Sequence, residues 1–263
     1  MKRIMLNARM LVSIFVFIML FTSLVKAAPG EYYQIKIYLM KTAEQEAKVD
    51  QYLKNGYLPA LHRAGIEQVG VFRSIGNDTA SIRRIVLLIP YKSLQQWETV
   101  SGKLASDARL IKDDTEYVNA PHNDPPYTRI ESILLKSFVG MPHYGIPDLK
   151  APKSERIYEL RSYEGPTEKK YLNKVDMFNK GDEVGLFKRL GFNAVFYAEV
   201  ISGAHMPNLM YMTTFENMDS HDQHWKSFGA DPYWKKLSAM PEYQNNVSHA
   251  DIMLMHPTEY SDL

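Results

Sequence analysis

The second half of this sequence repeats the first. The segment Tyr33-Gln34-Ile35-Lys36-Ile37-Tyr38 aligns with Tyr158-Glu159-Leu160-Arg161-Ser162-Tyr163, at an offset of 125 residues. Other pairs keep this spacing to within one residue: Gly56 with Gly181, Arg63-Ala64-Gly65 with Arg189-Leu190-Gly191, and Asp107 with Asp231. Solenoid repeats have periods of roughly 20 to 50 residues, so this repeat is too long to be one. It indicates one small domain that has been duplicated.

The N-terminus has the pattern of a signal peptide over residues 1–27. Its basic residues are Lys2, Arg3 and Arg9. An apolar stretch follows over residues 10–21, and Val25-Lys26-Ala27 fits a cleavage site. The apolar stretch is shorter than the ~20 residues of a membrane-spanning helix. We therefore expect an exported protein, periplasmic or secreted after cleavage near Ala27, with no stable membrane span; an uncleaved anchor is the alternative.

The composition excludes several classes of protein. The sequence contains no cysteine, so disulfides, thiolate nucleophiles and thiolate metal sites are excluded. The formal net charge of +1 gives no basic surface of the kind that nucleic-acid binding requires. The length suits two cores, and we expect a first domain at residues 31–137, a linker at 138–154 and a second domain at 155–258.

Hydrophobic periodicity predicts the element order β-α-β-β-α-β in each half. In the first half, strands are expected at residues 32–39, 67–74, 82–89 and 128–136, and helices at 42–65 and 93–110. In the second half, strands are expected at 156–164, 192–201, 208–215 and 248–256. Its helices are expected at 166–190 and after Asn217, with a turn at Asp231-Pro232-Tyr233-Trp234. Pro59 predicts a kink or break near Asn55-Gly56.

This order is that of the ferredoxin-like α+β fold, in which both helices cover one face of a four-stranded sheet. The bare face needs a partner, and the duplication supplies one. We expect two tandem ferredoxin-like repeats packed sheet to sheet as an intramolecular pseudo-dimeric α/β barrel. Either a monomer with this internal pseudo-dimer or a homodimer is compatible with the pattern.

One strand face carries the same three kinds of side chain in both halves. Because alternate residues of a strand share a face, Glu159, Arg161 and Tyr163 point in one direction. The matching residues of the first half are Gln34, Lys36 and Tyr38. This face looks either into the space between the sheets or into solvent at the rim, and the sequence leaves both open.

Several segments of the second half carry a family resemblance. They are Tyr158 to Tyr163, Met177-Phe178-Asn179-Lys180, residues 186–191, residues 206–212, Trp225-Lys226-Ser227-Phe228 and Asp231-Pro232-Tyr233-Trp234. In these segments the sequence resembles the NIPSNAP family of the dimeric α/β-barrel superfamily. The first half resembles a diverged copy, with Ala108-Arg109-Leu110 in place of Pro232-Tyr233-Trp234. The resemblance implies the fold but no single reaction, because the superfamily includes cofactor-free oxygenases, haem-binding enzymes and isomerases.

Two functional hypotheses follow. In the first, a small apolar or aromatic acidic molecule binds between the two sheets, with or without cofactor-free catalysis. Its binding residues are Glu159, Arg161, Tyr163, Tyr197, Lys36 and Tyr38, with Arg161 as the anion anchor. Glu199 and His249 are the candidate bases. In the second, the protein is a non-catalytic exported module that binds a protein or a glycan, with a filled barrel and an apolar patch outside.

No metal and no other cofactor is expected from the sequence. The histidines considered as ligands are His205, His221, His224 and His249. A zinc site needs three or four converging ligands, and the sequence contains no His-Glu-x-x-His pattern. Haem is disfavoured as well, because no covalent attachment through cysteine is available.

Overall fold

Eight antiparallel strands form a closed barrel in the computed structural model, which describes residues 30–113 and 115–263. The strands are β1 Tyr32–Met40, β2 Gly70–Ser74, β3 Arg83–Tyr91, β4 Arg129–Ser137, β5 Ile157–Glu164, β6 Phe196–Ser202, β7 Asn208–Phe215 and β8 His249–Pro257. The predicted signal peptide lies outside the described residues. Within them, no helix combines the length and the apolar character needed to cross a membrane.

The two halves join through the edges of their sheets. The order around the barrel is β1-β3-β2-β8-β5-β7-β6-β4, so each half contributes four neighbouring strands in equivalent order. Strand β2 pairs with β8, Arg73 lying opposite His256, and β4 pairs with β6, Lys136 lying opposite Glu199. The closed barrel leaves no strand edge unpaired. The predicted fold class, an α+β pseudo-dimeric barrel, is confirmed.

Helices cover the outside of the barrel in both halves. They are α1 Ala43–Tyr52, α2 Leu58–Ala64, α3 Leu94–Ala105, α4 Ala108–Asp113, α5 Thr115–Val118, α6 Glu168–Asn179, α7 Glu183–Arg189, α8 Met218–Ala230 and α9 Pro232–Ser238. A π-helical turn, Leu53–Tyr57, joins α1 to α2 next to Pro59, where the sequence predicts a kink or break. Gly65 ends α2 with a φ of 97°, a conformation that glycine adopts without steric cost.

Two helix predictions for the second half are corrected. The single helix expected at residues 166–190 is two helices, α6 and α7, which are separated around Gly181. The turn expected at Asp231 to Trp234 is instead the start of α9. The Asp231 carboxylate accepts hydrogen bonds from the backbone N–H groups of Tyr233 and Trp234, and Pro232 is the first helical residue. Aspartate as cap and proline at the first position favour a helix start.

The interior of the barrel is filled with apolar side chains. Alternate residues of β1 and β5, including Tyr33, Ile35, Tyr158 and Leu160, point inward and are buried in one cluster with the inward residues of the other strands. Two further apolar clusters lie between the outer sheet surface and the helices, one in each half. A site with room for a ligand is therefore to be sought outside the barrel, in the layer between sheet and helices.

Candidate functional site

The polar strand face of the second half points toward the helices. Arg161 stacks on Trp225 of α8, with its guanidinium carbon 3.7 Å from the ring centroid. Tyr163 packs with the apolar cluster between sheet and helices. The sequence left two locations open for this face, the space inside the barrel and a solvent-exposed rim. The structure shows neither, because the face contacts the helices. The reason is that the apolar face of β5, with Tyr158 and Leu160, occupies the interior.

A buried carboxylate holds Arg161 and Trp225 in place. Glu159 is fully buried. Its Oε1 accepts hydrogen bonds from Arg161 Nε at 2.8 Å, and the ion pair to Arg161 Nη2 measures 2.7 Å. Its Oε2 accepts a hydrogen bond from Trp225 Nε1 at 2.7 Å. Because the carboxylate neutralises the guanidinium at short range, the cation is tolerated in this poorly hydrated position.

Two tyrosines extend this network. Arg161 Nη1 donates a hydrogen bond to the Tyr163 hydroxyl at 3.0 Å, and the hydroxyls of Tyr163 and Tyr211 lie 2.8 Å apart. Burial raises the pKa of Tyr211 well above its usual value, and the neighbouring Tyr163 adds to this, while Arg161 opposes it. Tyr211 is therefore a neutral phenol at physiological pH.

A second buried ion pair joins α6 to α7. Lys174 Nζ lies 2.8 Å from Glu183 Oε2, and the two side chains are only 7% and 3% exposed. The ammonium also lies 4.7 Å from the centroid of the Phe178 ring. A buried ion pair contributes little net stability compared with apolar residues of similar size. Its presence therefore points to a role other than stability.

Arg161 and Trp225, the two tyrosines and the Lys174–Glu183 pair line one cavity of about 560 Å³ between the sheet and the helices. Its aromatic wall consists of Tyr163, Phe187, Tyr211, Trp225, Phe228, Trp234 and Tyr243. Its polar wall includes Arg161, Lys174, Glu183 and Asn246. We call this cavity the second-half pocket. Its volume lies in the range of small-molecule sites.

The segment from Tyr243 to Val247 covers one side of the second-half pocket. Two hydrogen bonds attach it to α6. Lys170 Nζ donates to the Gln244 carbonyl oxygen at 3.0 Å, and Asn246 Nδ2 donates to Asn173 Oδ1 at 3.0 Å. The Gln244 side chain also donates a hydrogen bond to the Ser238 carbonyl oxygen of α9, so this cover rests on polar contacts to two helices.

The equivalent layer of the first half is filled by tyrosine rings. Lys36, the counterpart of Arg161, donates a hydrogen bond to the Tyr57 hydroxyl at 3.1 Å, and its ammonium lies 4.4 Å from the centroid of that ring. Tyr52 and Tyr117 stack with their centroids 3.6 Å apart. Tyr38, the counterpart of Tyr163, is buried. The candidate residues Lys36 and Tyr38 thus serve the packing of this layer.

The remaining candidate residues lie outside the second-half pocket. Tyr197 is buried beside it, next to Phe187 and Tyr211. Glu199 accepts a hydrogen bond from the Tyr171 hydroxyl at 2.9 Å. His249 lies near Asp251, at the end of the barrel. Among the described residues, neither proposed base lines the pocket.

The Lys174–Glu183 pair was not predicted, although the repeat in the sequence contains a signal for it. At the offset of 125 residues, Lys174 corresponds to Val49 and Glu183 to Leu58, both buried apolar residues. The first copy folds with an apolar pair at these positions. The fold therefore does not require the charged pair of the second copy. Tyr211 was not predicted either. It lies opposite Arg161 in the second half, whereas the equivalent residue of the first half, opposite Lys36, is Leu87.

Comparison with known proteins agrees with this architecture. Residues 158–262 match the NIPSNAP family, so the resemblance is confirmed for the second half of the chain. A search of curated proteins gave no match. Among solved structures, a monooxygenase-like protein from Fusobacterium nucleatum is 7% identical, with a TM-score of 0.57 over 87% of this chain and 93% of that one. An anthrone oxidase-like protein is 9% identical, with a TM-score of 0.55 over 89% and 94% of the two chains. At such identities the likeness shows the fold alone.

Proposed function

We propose that the second half of this chain binds a small aromatic molecule in the second-half pocket. The observation that carries this proposal is a cavity of about 560 Å³ whose walls combine seven aromatic side chains with Arg161 and the buried Lys174–Glu183 ion pair. Aromatic walls favour a flat apolar ligand, and a few fixed polar groups orient it. This differs from the sequence hypothesis in location, because the ligand lies between sheet and helices rather than between the two sheets.

The charges of the pocket limit the ligand further. Arg161 is neutralised by Glu159, and Lys174 is neutralised by Glu183. A carboxylate ligand would add an uncompensated buried charge, which is costly in a poorly hydrated site. A neutral or weakly acidic aromatic molecule, such as a phenol or an enol, can accept or donate hydrogen bonds at no such cost. We therefore propose that class over strong acids.

Cofactor-free catalysis would need a base beside this ligand. Glu183 lines the pocket, whereas Glu199 and His249 do not. An anthrone, the compound class in the name of one structural neighbour, is a polycyclic aromatic ketone with an enol form. This chemistry suits the pocket, although a shared fold does not choose a reaction.

The proposal is tested with 2-naphthol and 2-naphthoate as probes. Trp225 and Trp234 line the pocket, so a bound aromatic ring should quench their fluorescence and raise the melting temperature. We expect 2-naphthol to bind at least tenfold more tightly than 2-naphthoate. If neither 2-naphthol nor 2-naphthoate quenches the fluorescence or raises the melting temperature, the proposal is refuted.

Two glycines provide a blocking variant and its control. Gly229 of α8 lines the pocket, and Gly102 of α3 lies in the first half; a Cβ at either position meets open space. Gly229→Phe should place a ring into the pocket and abolish quenching by 2-naphthol, whereas Gly102→Phe should leave it unchanged. Equal quenching in both variants would show that the probe binds elsewhere.

We also propose export, with cleavage after Ala27; mass spectrometry of the exported protein should give Ala28 as the first residue.

The alternative function, an interaction module, predicts a filled barrel interior, which the structure has. It also predicts an exposed apolar patch, and Val139 and Ile146 are exposed in the segment between the halves. Because the second-half pocket lies outside the barrel, the filled interior does not argue against small-molecule binding.

A further inference from the structure

Carboxylates and imidazoles cluster at one mouth of the barrel. Glu164, His249 and Asp251 each offer one ligand atom, and these atoms all lie within 4.8 Å of one another. His205, in the turn between β6 and β7, lies beside them, with its Nδ1 3.0 Å from Glu164 Oε1. We propose that this mouth binds a divalent transition-metal ion.

The sheet register explains why these residues converge. Glu164 ends β5 and lies opposite His249, which begins β8, while Asp251 lies opposite Ser162. The intervening Ala250 lines the second-half pocket on the outer face. By strand alternation, His249 and Asp251 point to the inner face at the mouth of the barrel. The cluster is thus separated from the pocket by the thickness of the sheet.

Two buried oxygen atoms at this mouth lack a hydrogen-bond donor among the described residues. One is Glu164 Oε1, whose contact with His205 does not have the geometry of a hydrogen bond. The other is Oδ1 of Asn208, which lies opposite Glu164 on β7 and is 2% exposed. The Asn208 amide nitrogen donates to Ser162 Oγ at 2.9 Å, so the carbonyl oxygen alone is left without a partner. Unsatisfied buried oxygens are costly, and a cation would satisfy them.

The fold itself does not require this cluster. In the first half, Leu39 takes the place of Glu164 and lies between Arg84 and Arg129, the register counterparts of Asn208 and His249. The first copy therefore folds with an apolar residue and two arginines at equivalent positions. Asp251 has an acidic counterpart, Glu131, which lies opposite Ile37, whereas the Glu164 carboxylate and the His249 imidazole have no counterpart in the first copy.

The donor set indicates the class of metal. Imidazole nitrogen suits Zn²⁺ and its neighbours among the transition metals, whereas Mg²⁺ and Ca²⁺ prefer oxygen ligands alone. One imidazole and two carboxylates, with His205 close to Glu164, form a mixed nitrogen and oxygen set. Zn²⁺ is the probe of choice, and Mg²⁺ is the comparison ion.

Isothermal titration calorimetry of the tag-free protein with ZnCl₂ tests the proposal. We expect one Zn²⁺ per chain and no comparable heat with MgCl₂. His249→Ala and Asp251→Asn should each weaken Zn²⁺ binding at least tenfold. Both side chains are more than half exposed, so these variants should keep their fold, which circular dichroism would verify.

His143→Ala is the matched control. Its side chain is 59% exposed, as is that of His249, and it lies 3.5 Å from a carboxylate, Glu31, in another part of the chain. This variant should bind Zn²⁺ like the unmodified protein. Absence of Zn²⁺ binding, or an unchanged Kd and stoichiometry in both His249→Ala and Asp251→Asn, would overturn the proposal. Because neither residue lines the second-half pocket, 2-naphthol quenching in these variants reports separately on the proposed function.

Discussion

Replacement of Glu183 by leucine should strongly destabilise the protein, although leucine is the residue at the equivalent position of the first half. The change leaves the Lys174 ammonium buried, 7% exposed, without its carboxylate. Removal of one partner from a buried ion pair costs about 3–5 kcal/mol. For a chain of this size, each kcal/mol lowers the melting temperature by roughly 2–4 °C, so the expected drop is about 6–20 °C.

Replacement of both partners should restore the stability that the single change removes. In Lys174→Met/Glu183→Leu, apolar side chains of similar size replace the pair, as Val49 and Leu58 do in the first half. Such replacements are often neutral or stabilise a protein by about 1–4 kcal/mol. Thermal and urea unfolding of the single and double variants would give the coupling energy of the pair.

An exposed ion pair nearby is the control. Lys180 and Asp176 also lie 2.8 Å apart, but their side chains are 75% and 47% exposed. Asp176→Asn should leave the melting curve almost unchanged, because solvent screens exposed pairs. If Glu183→Leu melts like Asp176→Asn, or if the double variant is less stable than Glu183→Leu, the inference that this pair is retained for a role other than stability is wrong.

Three further predictions concern the fold. Gly65→Ala should destabilise the protein by roughly 1–2 kcal/mol, because φ at this position is 97°. Gly102→Ala, in the middle of a helix, should stabilise it by about 0.5–1 kcal/mol. Neither added Cβ meets an atom within 4 Å, so urea unfolding of the two variants compares backbone effects alone. The hydrogen bond from Arg189 lowers the pKa of Asp231 to about 2 from 3.8, so Asp231 should stabilise the fold above pH 4 and lose this effect as the pH falls through 2. The stability difference between the protein and Asp231→Asn should therefore shrink between pH 4 and pH 2, and a difference that grows in acid would contradict the assignment. Either half expressed alone should associate or aggregate in light-scattering measurements, because the β2–β8 and β4–β6 pairs would be lost; a stable monomeric half would argue against the shared barrel.

The sequence was sufficient to predict the barrel because its signals are local and occur twice. The repeat of Tyr33 to Tyr38 at Tyr158 to Tyr163 aligns the copies, and the element order in each copy follows from hydrophobic periodicity. The break of the helix around Gly181 was missed, because part of its environment is tertiary. A Cβ at Gly181 would lie 2.9 Å from Cδ1 of Leu237 in α9, and this close approach is not visible in the sequence.

The site was misplaced for a different physical reason. Strand alternation separates Glu159, Arg161 and Tyr163 from Tyr158 and Leu160, but it does not state which face meets helices. Closure of the barrel decides this, since a narrow interior is filled by the more uniformly apolar face. The stacking of Arg161 on Trp225, and the hydrogen bond from Trp225 Nε1 to Glu159, depend on the docking of α8, which lies far away in sequence.

Duplication within one chain allows the two copies to differ, which a symmetric dimer of identical chains does not allow. In the first copy, Tyr52, Tyr57 and Tyr117 fill the layer between sheet and helices, and Val49 and Leu58 complete its apolar packing. In the second copy, Lys174 and Glu183 occupy the equivalent positions and a cavity lies beside them. Buried charges and cavities both reduce stability. A barrel whose first copy fills this layer with apolar and tyrosine side chains can tolerate these costs in its second copy, where we propose that the ligand binds.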